Sequence, residues 1–171
     1  MKRISIFLLA GLTILLSACG FHLRNSQELP FHTIYIGLPE SNEFRAILAR
    51  NIRAASSTEV VSNRDEAEAI FLITLDLPTK VILSLNASGR VREYQLRRQF
   101  NFRVQDKKGR DLMVPASIQI HRDISFSDDL VLSKESEEAL LWRDIQNDLV
   151  QQVLRRLAAA KRKPLESDEV N

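Results

Sequence analysis

The 171 residues include one cysteine, three histidines, five glycines and five prolines, and each scarcity closes off a class of function. A lone cysteine, Cys19, has no partner for a disulfide within the chain. The histidines at 22, 32 and 121 are scattered, and none has a second ligand type at metal spacing. Glycines at 11, 20, 37, 89 and 109 build no phosphate-cradling loop, and no Gly-x-Ser-x-Gly turn is present to expose a nucleophile. Asp128-Asp129 is a carboxylate pair, but adjacent acids in a polar loop are solvated and lack the apolar setting that raises a pKa. The chain therefore reads as a non-enzyme that needs neither a metal nor a cofactor. After residue 16 there is no apolar run approaching the roughly 18 residues that would mark a membrane span. A charge of one sign is missing too. The formal charge of +2 resides in Lys2 and Arg3, and without them 22 basic residues face 22 acidic ones. A chain-wide nucleic-acid or anionic-membrane surface is excluded, so any electrostatic site must be local.

What is there begins with "MKRISIFLLAGLTILLSA", two positive charges, an apolar run and then small residues. This is a secretory signal over 1–18, too short to span a bilayer comfortably. An exported protein meets an oxidising compartment where cysteines usually pair, so an unpaired one at this position needs another reason. Leu16-Ser17-Ala18-Cys19 resembles the lipobox of bacterial lipoproteins, in which the thiol of the new first residue is acylated. The covalent lipid on Cys19 would be the only attachment, and several acyl chains make it effectively permanent. Gly20 follows the cysteine; the absence of an aspartate there favours the outer membrane. Cleavage leaves 153 of the 171 residues, enough for one ordinary domain. The expected plan is a lipidated linker over 19–30, one domain over 31–163 and a flexible tail over 164–171.

"TIYIGL" alternates, with Ile34, Ile36 and Leu38 on one side, and predicts a first strand ended by Pro39. Ser41 or Asn42 can then cap a helix whose apolar stripe is Phe44, Ile47, Leu48 and Ile52, finishing near Ser56. "TEVV" predicts a short strand. "AIFLITLDL" is apolar on both faces, with Phe71, Ile73, Leu75 and Leu77 on one, and predicts a central strand closed by Pro78. "KVILSL" continues the sheet, and "NASGR" is a turn by composition.

In "RVREYQLRRQFNFRV" the even positions Tyr94, Leu96, Phe100, Phe102 and Val104 alternate with the odd positions Glu93, Gln95, Arg97, Gln99, Asn101 and Arg103. One face is dry and the other wet. After the turn "QDKKGR" the chain returns through "ASIQIHRDISF", with Ile118, Ile120 and Ile124 on its dry side, as a long antiparallel hairpin. A second helix of about six turns follows, with Ser133 as its expected cap, Glu135, Glu137 and Glu138 near its positive end, and Leu141, Ile145, Leu149, Val153 and Leu157 as its stripe. Pro164 is expected to stop it. Strand, helix, several strands, helix gives an α+β fold. It is a two-layer sandwich with both helices on one face of a mixed, mostly antiparallel four- to five-stranded sheet.

Arg90, Arg92, Arg97, Arg98 and Arg103 crowd one strand, with Lys107, Lys108 and Arg110 at its turn. Such a strip suits bidentate grip on phosphates, and it equally suits gatekeeping on an exposed sheet. Arg98 and Arg122 fall on the dry faces of their strands, so each is expected to find an acid at the sheet margin or to snorkel there. Aromatics are not interleaved with the arginines, so no nucleic-acid partner is expected.

"CGFHLR" at the cysteine, "SGRVREYQLR" entering the hairpin and "LSKESEEALLWRDIQNDLVQQVLRRL" as the last helix are together similar to the LptE family of lipopolysaccharide-assembly lipoproteins. That resemblance runs from Cys19 to about Leu157. It implies a non-enzymatic protein that plugs the LptD β-barrel, helps it assemble, and with it places lipopolysaccharide in the outer leaflet. It implies a location at the outer membrane, periplasm-facing and within the barrel lumen. It also implies lipopolysaccharide binding by basic residues near the hairpin turn and the start of the last helix, here Arg90, Arg92 and Lys134. Ala87 stands where a family member can carry a basic residue ahead of the turn glycine, which moves the expectation to Arg90. The residues without the resemblance leave a second reading open, a periplasm-facing lipoprotein that binds peptidoglycan or another envelope component.

Overall fold

The computed structural model describes residues 28–127 and 131–160. The signal, Cys19, Asp128-Asp129, Pro164 and the tail lie outside them. Five strands, β1 (Thr33–Ile36), β2 (Glu59–Val61), β3 (Ala69–Leu85), β4 (Val91–Gln105) and β5 (Ala116–Ser125), form one sheet in the order β2-β1-β3-β4-β5. The β2, β1 and β3 pairings are parallel, and β3, β4 and β5 run antiparallel. Two helices, α1 (Glu43–Ala55) and α2 (Val131–Ala158), pack on the same face, as the alternation predicts.

Local chemistry sets the limits of α1. The Asn42 side chain accepts from the Arg45 N–H at 3.0 Å, and the Ser56 N–H donates to the Ile52 carbonyl at the other end. Its buried side is Phe44, Leu48, Ala49 and Ile52, while Ile47 is only half-buried. α1 is the crossover between parallel β1 and β2, so it covers only the short-strand end of the sheet. The aromatic centre of the core joins three elements. Phe44 of α1 meets Phe100 with ring centroids 5.0 Å apart, Phe71 stacks on Phe102 at 4.9 Å, and Phe100 and Phe102 are 6.1 Å apart. Burying each such ring contributes roughly 1.5–3 kcal/mol, with about 0.5–1.5 kcal/mol more from each paired contact.

β3 departs from its expected pattern in two ways. A register shift between Ile73 and Leu75 reverses the alternation: Phe71 and Ile73 lie opposite Val104 and Phe102 on the helix side, whereas Leu75 and Leu77 lie opposite Asn101 and Gln99 on the open side. Asp76, opposite Phe100, thereby turns to the helix side. Pro78 does not close the strand, which runs on to Leu85. β1 pairs with β3 only over Ala69–Phe71, so beyond that the outer edge of β3 has no neighbour among the described residues, and an edge tolerates proline.

α2 also differs. It begins at Val131, which puts Ser133 inside the first turn rather than at the cap and leaves no acid in that turn. It ends at Ala158, ahead of Pro164, and its 28 residues make about eight turns rather than six. Ile145, Leu149, Val150, Val153, Leu154 and Leu157 are buried, so its dry stripe broadens toward the C-terminal half, where α1 lies alongside and Gln151 donates to the Asn51 side chain at 3.1 Å.

Candidate functional site

Two turns of the same build close the ends of β4. In Asn86-Ala-Ser-Gly-Arg90, the Gly89 N–H donates to the Asn86 carbonyl at 3.0 Å and the Asn86 N–H to the Arg90 carbonyl at 2.8 Å. Asp106-Lys-Lys-Gly-Arg110 repeats both bonds at 3.0 and 2.9 Å. Gly89 and Gly109 sit at φ of 75° and 80°, which a side chain would resist. The Asx side chain at the head of each turn accepts from the arginine N–H at its end, at 3.0 and 2.9 Å. With β4 spanning 15 residues between them, these turns stand roughly 50 Å apart.

The basic strip suggested by the linear sequence is therefore not continuous. Lys107, Lys108 and Arg110 are at the opposite end of the sheet from Arg90 and Arg92. Several of its guanidinium groups are committed to acids. Arg98, on the helix side, holds Asp76 in a bidentate pair at 2.8 Å and reaches Gln146 of α2 at 3.2 Å. Arg122 bonds Asp148 of α2 at 3.2 Å. Both dry-face arginines thus find acids at the margin between sheet and helix, as their position requires. Arg103 pairs with Asp111, which lowers the aspartate pKa chiefly through the hydrogen bond and raises that of the arginine. Burial pushes the Asp106 carboxyl up, but the N–H and guanidinium of Arg110 and the Lys108 N–H outweigh it and hold the carboxyl below its ordinary value. Arg97 is on the open face and bonds the Gln95 side chain, which in turn donates to Asp123.

Arg90, Arg92 and Lys134 are brought together at one end of the sheet. Arg92 is exposed on the first residues of β4, and its carbonyl accepts from the Phe126 N–H at 2.8 Å. Phe126 closes edge-on against Tyr94, 5.4 Å away, carrying the chain from β5 toward α2. Lys134, on the first turn of α2, reaches back to the Ser125 hydroxyl at 2.9 Å and to Glu137 at 2.8 Å, with its side chain only 16% exposed. Lys80 closes the same region from β3, lying 4.3 Å over the Tyr94 ring and 2.6 Å from Glu138. Arg90 and Arg92, both exposed, thus stand at the same end of the sheet as Lys134. Cys19, the expected lipidation site, lies outside the described residues.

The face away from the helices is amide-rich. A shallow trough of about 420 Å³ there is lined among others by Thr79, Gln95, Arg97, Gln99, Gln119 and His121. Among the described residues no three histidine, cysteine or carboxylate side chains cluster to hold a metal, and no helix is long and apolar enough to cross a membrane. The alternation of β4 and β5 announced this wet face. It did not announce the trough, which needs residues of three strands in register.

Comparison with known proteins places this architecture. Residues 31–157 match the LptE family, described as lipopolysaccharide-assembly. The chain is 26% identical over 155 residues to the LPS-assembly lipoprotein LptE of Pectobacterium atrosepticum, covering 88% of this chain and 83% of that one. The solution structure of a lipoprotein B from Nitrosomonas europaea is 38% identical and superposes with a TM-score of 0.72 over 82% of this chain and 91% of the other. A minor lipoprotein of Acinetobacter baumannii, 20% identical, shares the fold with a TM-score of 0.63 over 77% of this chain and 93% of its own. The non-enzymatic reading and the α+β sandwich of two helices on a mixed five-stranded sheet agree with these relatives. From its match over most of its length, the chain belongs to the LptE lipopolysaccharide-assembly family.

Proposed function

We propose that this chain is an outer-membrane lipoprotein, held by a lipid on Cys19, that plugs the LptD β-barrel, assists its assembly and binds lipopolysaccharide directly as the pair inserts it into the outer leaflet. Membership of the family supports a role in lipopolysaccharide transport. The amide-rich open face suits the polar interior of a barrel, where a dry surface would be left exposed to water. The observation that carries the binding step is the gathering of Arg90, Arg92 and Lys134, residues up to 44 positions apart, at one end of the sheet. Guanidinium groups there meet phosphate oxygens in paired, charge-assisted hydrogen bonds. Lys134 shares its proton donors with Glu137 and Ser125 and its side chain is only 16% exposed, so its share of the affinity is small.

Pull-down of the acylated protein from solubilised envelopes is expected to recover a large β-barrel protein, and its failure would sink the plug assignment. Charge reversal of Arg90 and Arg92 is expected to weaken lipopolysaccharide binding on the order of 10- to 100-fold at low salt, the loss shrinking as salt screens the pair. Reversal at Lys134 should cost less. Unchanged binding in all three would remove the site without touching the complex.

A further inference from the structure

The end of the sheet opposite Arg90 and Arg92 collects cations that no acid neutralises. At the turn between β4 and β5, Lys107 and Lys108 are exposed and have no carboxylate partner among the described residues. The acids nearest in sequence are taken, Asp106 by Arg110 and Asp111 by Arg103. α2 brings two more cations to this end. It starts where Lys134 reaches Ser125, passes Lys80 at Glu138 and Arg98 at Gln146, and over 28 residues, about 42 Å, carries its last turn to the Lys107 end. There Arg155 and Arg156 are exposed and likewise without an acid among the described residues. Complementing the helix dipole accounts for two arginines in a last turn, but not for two lysines of a separate hairpin turn. Val114, 83% exposed in the loop leading into β5, adds bare hydrocarbon at the same end. The acids of this end lie around β1 and β2, where Glu28 accepts from the Ser57 hydroxyl, Glu68 from the His32 N–H, and Glu59 opens β2.

The chain enters the domain at this end too. Tyr35 of β1 lies opposite Ile70 of β3, and Ile70 opposite Gln105 of β4, so the start of β1, and Glu28 a few residues before it, belong to the end that carries Lys107. Nine residues lead from Cys19 to Glu28, and they cannot span more than about 32 Å. A lipid on Cys19 therefore keeps this end, rather than the Arg90 end roughly 50 Å beyond, within reach of the leaflet that holds it. The first anions such an end meets are phospholipid headgroups, and clustered cations around an exposed aliphatic side chain match a surface of phosphate over hydrocarbon. We infer that Lys107, Lys108, Arg155 and Arg156 form a foot that rests on the anionic headgroups of the leaflet holding acylated Cys19, with Val114 entering the interface and the Arg90 end turned away. The inference rests on the lipid-anchor reading above and adds a second, electrostatic contact. Acyl chains fix where the protein is, whereas contacts from the folded domain fix which way it points.

The test uses the full acylated protein in phosphatidylcholine vesicles with about one-quarter phosphatidylglycerol, and in phosphatidylcholine alone. A dye is placed on one introduced cysteine, Ser117→Cys near the foot or Ala87→Cys at the other end, and energy transfer to an acceptor on the lipid headgroups is read. In the anionic vesicles at low salt the Ser117 position is expected to transfer severalfold more than the Ala87 position. Lys107→Glu/Lys108→Glu/Arg155→Glu/Arg156→Glu should bring the two positions level, as should phosphatidylcholine alone or salt of about 0.5 M, while the protein still floats with the vesicles. Lys107→Glu/Lys108→Glu, which leaves α2 untouched, should reduce the difference in part. Lys107→Arg/Lys108→Arg/Arg155→Lys/Arg156→Lys, which keeps every charge, should preserve it. A difference that persists undiminished in the reversed variant or in uncharged vesicles would overturn the inference and leave the anchor standing. Loss of the barrel partner from the reversed variant with the difference retained would assign these cations to protein contact and also overturn it. A Cys19 peptide without acyl mass in protein taken from envelopes would overturn the anchor reading, and the inference with it.

Discussion

Removing the partner of Arg98 tests how a charge on the dry face of β4 is held by its neighbour β3. Arg98 projects from the dry face of β4, its side chain only 11% exposed, and holds Asp76 through two hydrogen bonds of 2.8 Å while Asp76 remains 31% exposed. Deleting one partner of a charged hydrogen bond costs about 1.5–3 kcal/mol, and a fully buried pair costs about 3–5 kcal/mol. Here the acid is partly solvated and Gln146 stays within 3.2 Å of the guanidinium, so part of the loss is recovered. Asp76→Ala is therefore expected to cost about 2 kcal/mol. Arg98→Met, which keeps the aliphatic bulk on the dry face and returns Asp76 to water, should cost about 1 kcal/mol. The double variant leaves no orphaned charge and should cost little more than the arginine change alone, giving a coupling of about 1–2 kcal/mol. Urea denaturation followed by the single tryptophan measures all four proteins, since Trp142 sits half-buried on α2 with its indole N–H 3.4 Å from Glu138. A coupling below about 0.5 kcal/mol would place the pair with ordinary surface ion pairs and refute the reasoning.

Acidification should act partly through Asp106. Its folded-state pKa lies below the ordinary value, so its contribution is complete above about pH 4 to 5 and is lost as pH falls through the lower folded value. Asp106→Asn keeps an acceptor for the Arg110 N–H but cannot titrate, so its urea midpoint should vary less between pH 5 and pH 2.5 than the parent's. An equal slope in both would discard the assignment. Gly89→Ala and Gly109→Ala should each cost about 1–2 kcal/mol, because the strain comes from positive φ and no described residue beyond the chain neighbours comes within 4 Å of the added methyl. At opposite ends of β4, the two effects should add within about 0.5 kcal/mol in thermal or urea unfolding. Gly37→Ala acts by crowding instead. Its methyl would fall 2.9 Å from the Leu72 Cδ2 and 3.1 Å from the Phe71 carbonyl oxygen, so destabilisation of about 1–3 kcal/mol is expected, partly relieved when Leu72 is also shortened to alanine.

Much of the fold is written in short-range patterns. The dry and wet sides of β4 and β5 follow from strict alternation at 94, 96, 100, 102 and 104 and at 118, 120 and 124, because a strand sends neighbouring side chains to opposite faces. Asn42 and Ser56 mark α1, and Gly89 and Gly109 mark the turns, because each residue type answers a backbone requirement at its own position. Even the acids on Arg98 and Arg122 are foreseeable in kind, since a charge on a dry face must be paired or reach water. Their identities are not, because Asp76 and Asp148 lie 22 and 26 residues away and are delivered by another strand and a helix. The tertiary structure alone decided three things. It flipped Leu75 and Leu77 to the open face, since a bulge depends on the register of the partner strand. It let Pro78 stand inside β3, since only the order of the sheet shows which edge goes unpaired. And it set Arg98, Arg103, Arg110 and Arg122 against acids while gathering Arg90, Arg92 and Lys134, distant in sequence, at one end of the sheet. Charge and hydrophobicity can be read one residue at a time, but whether they are neutralised or covered depends on what the fold sets against them.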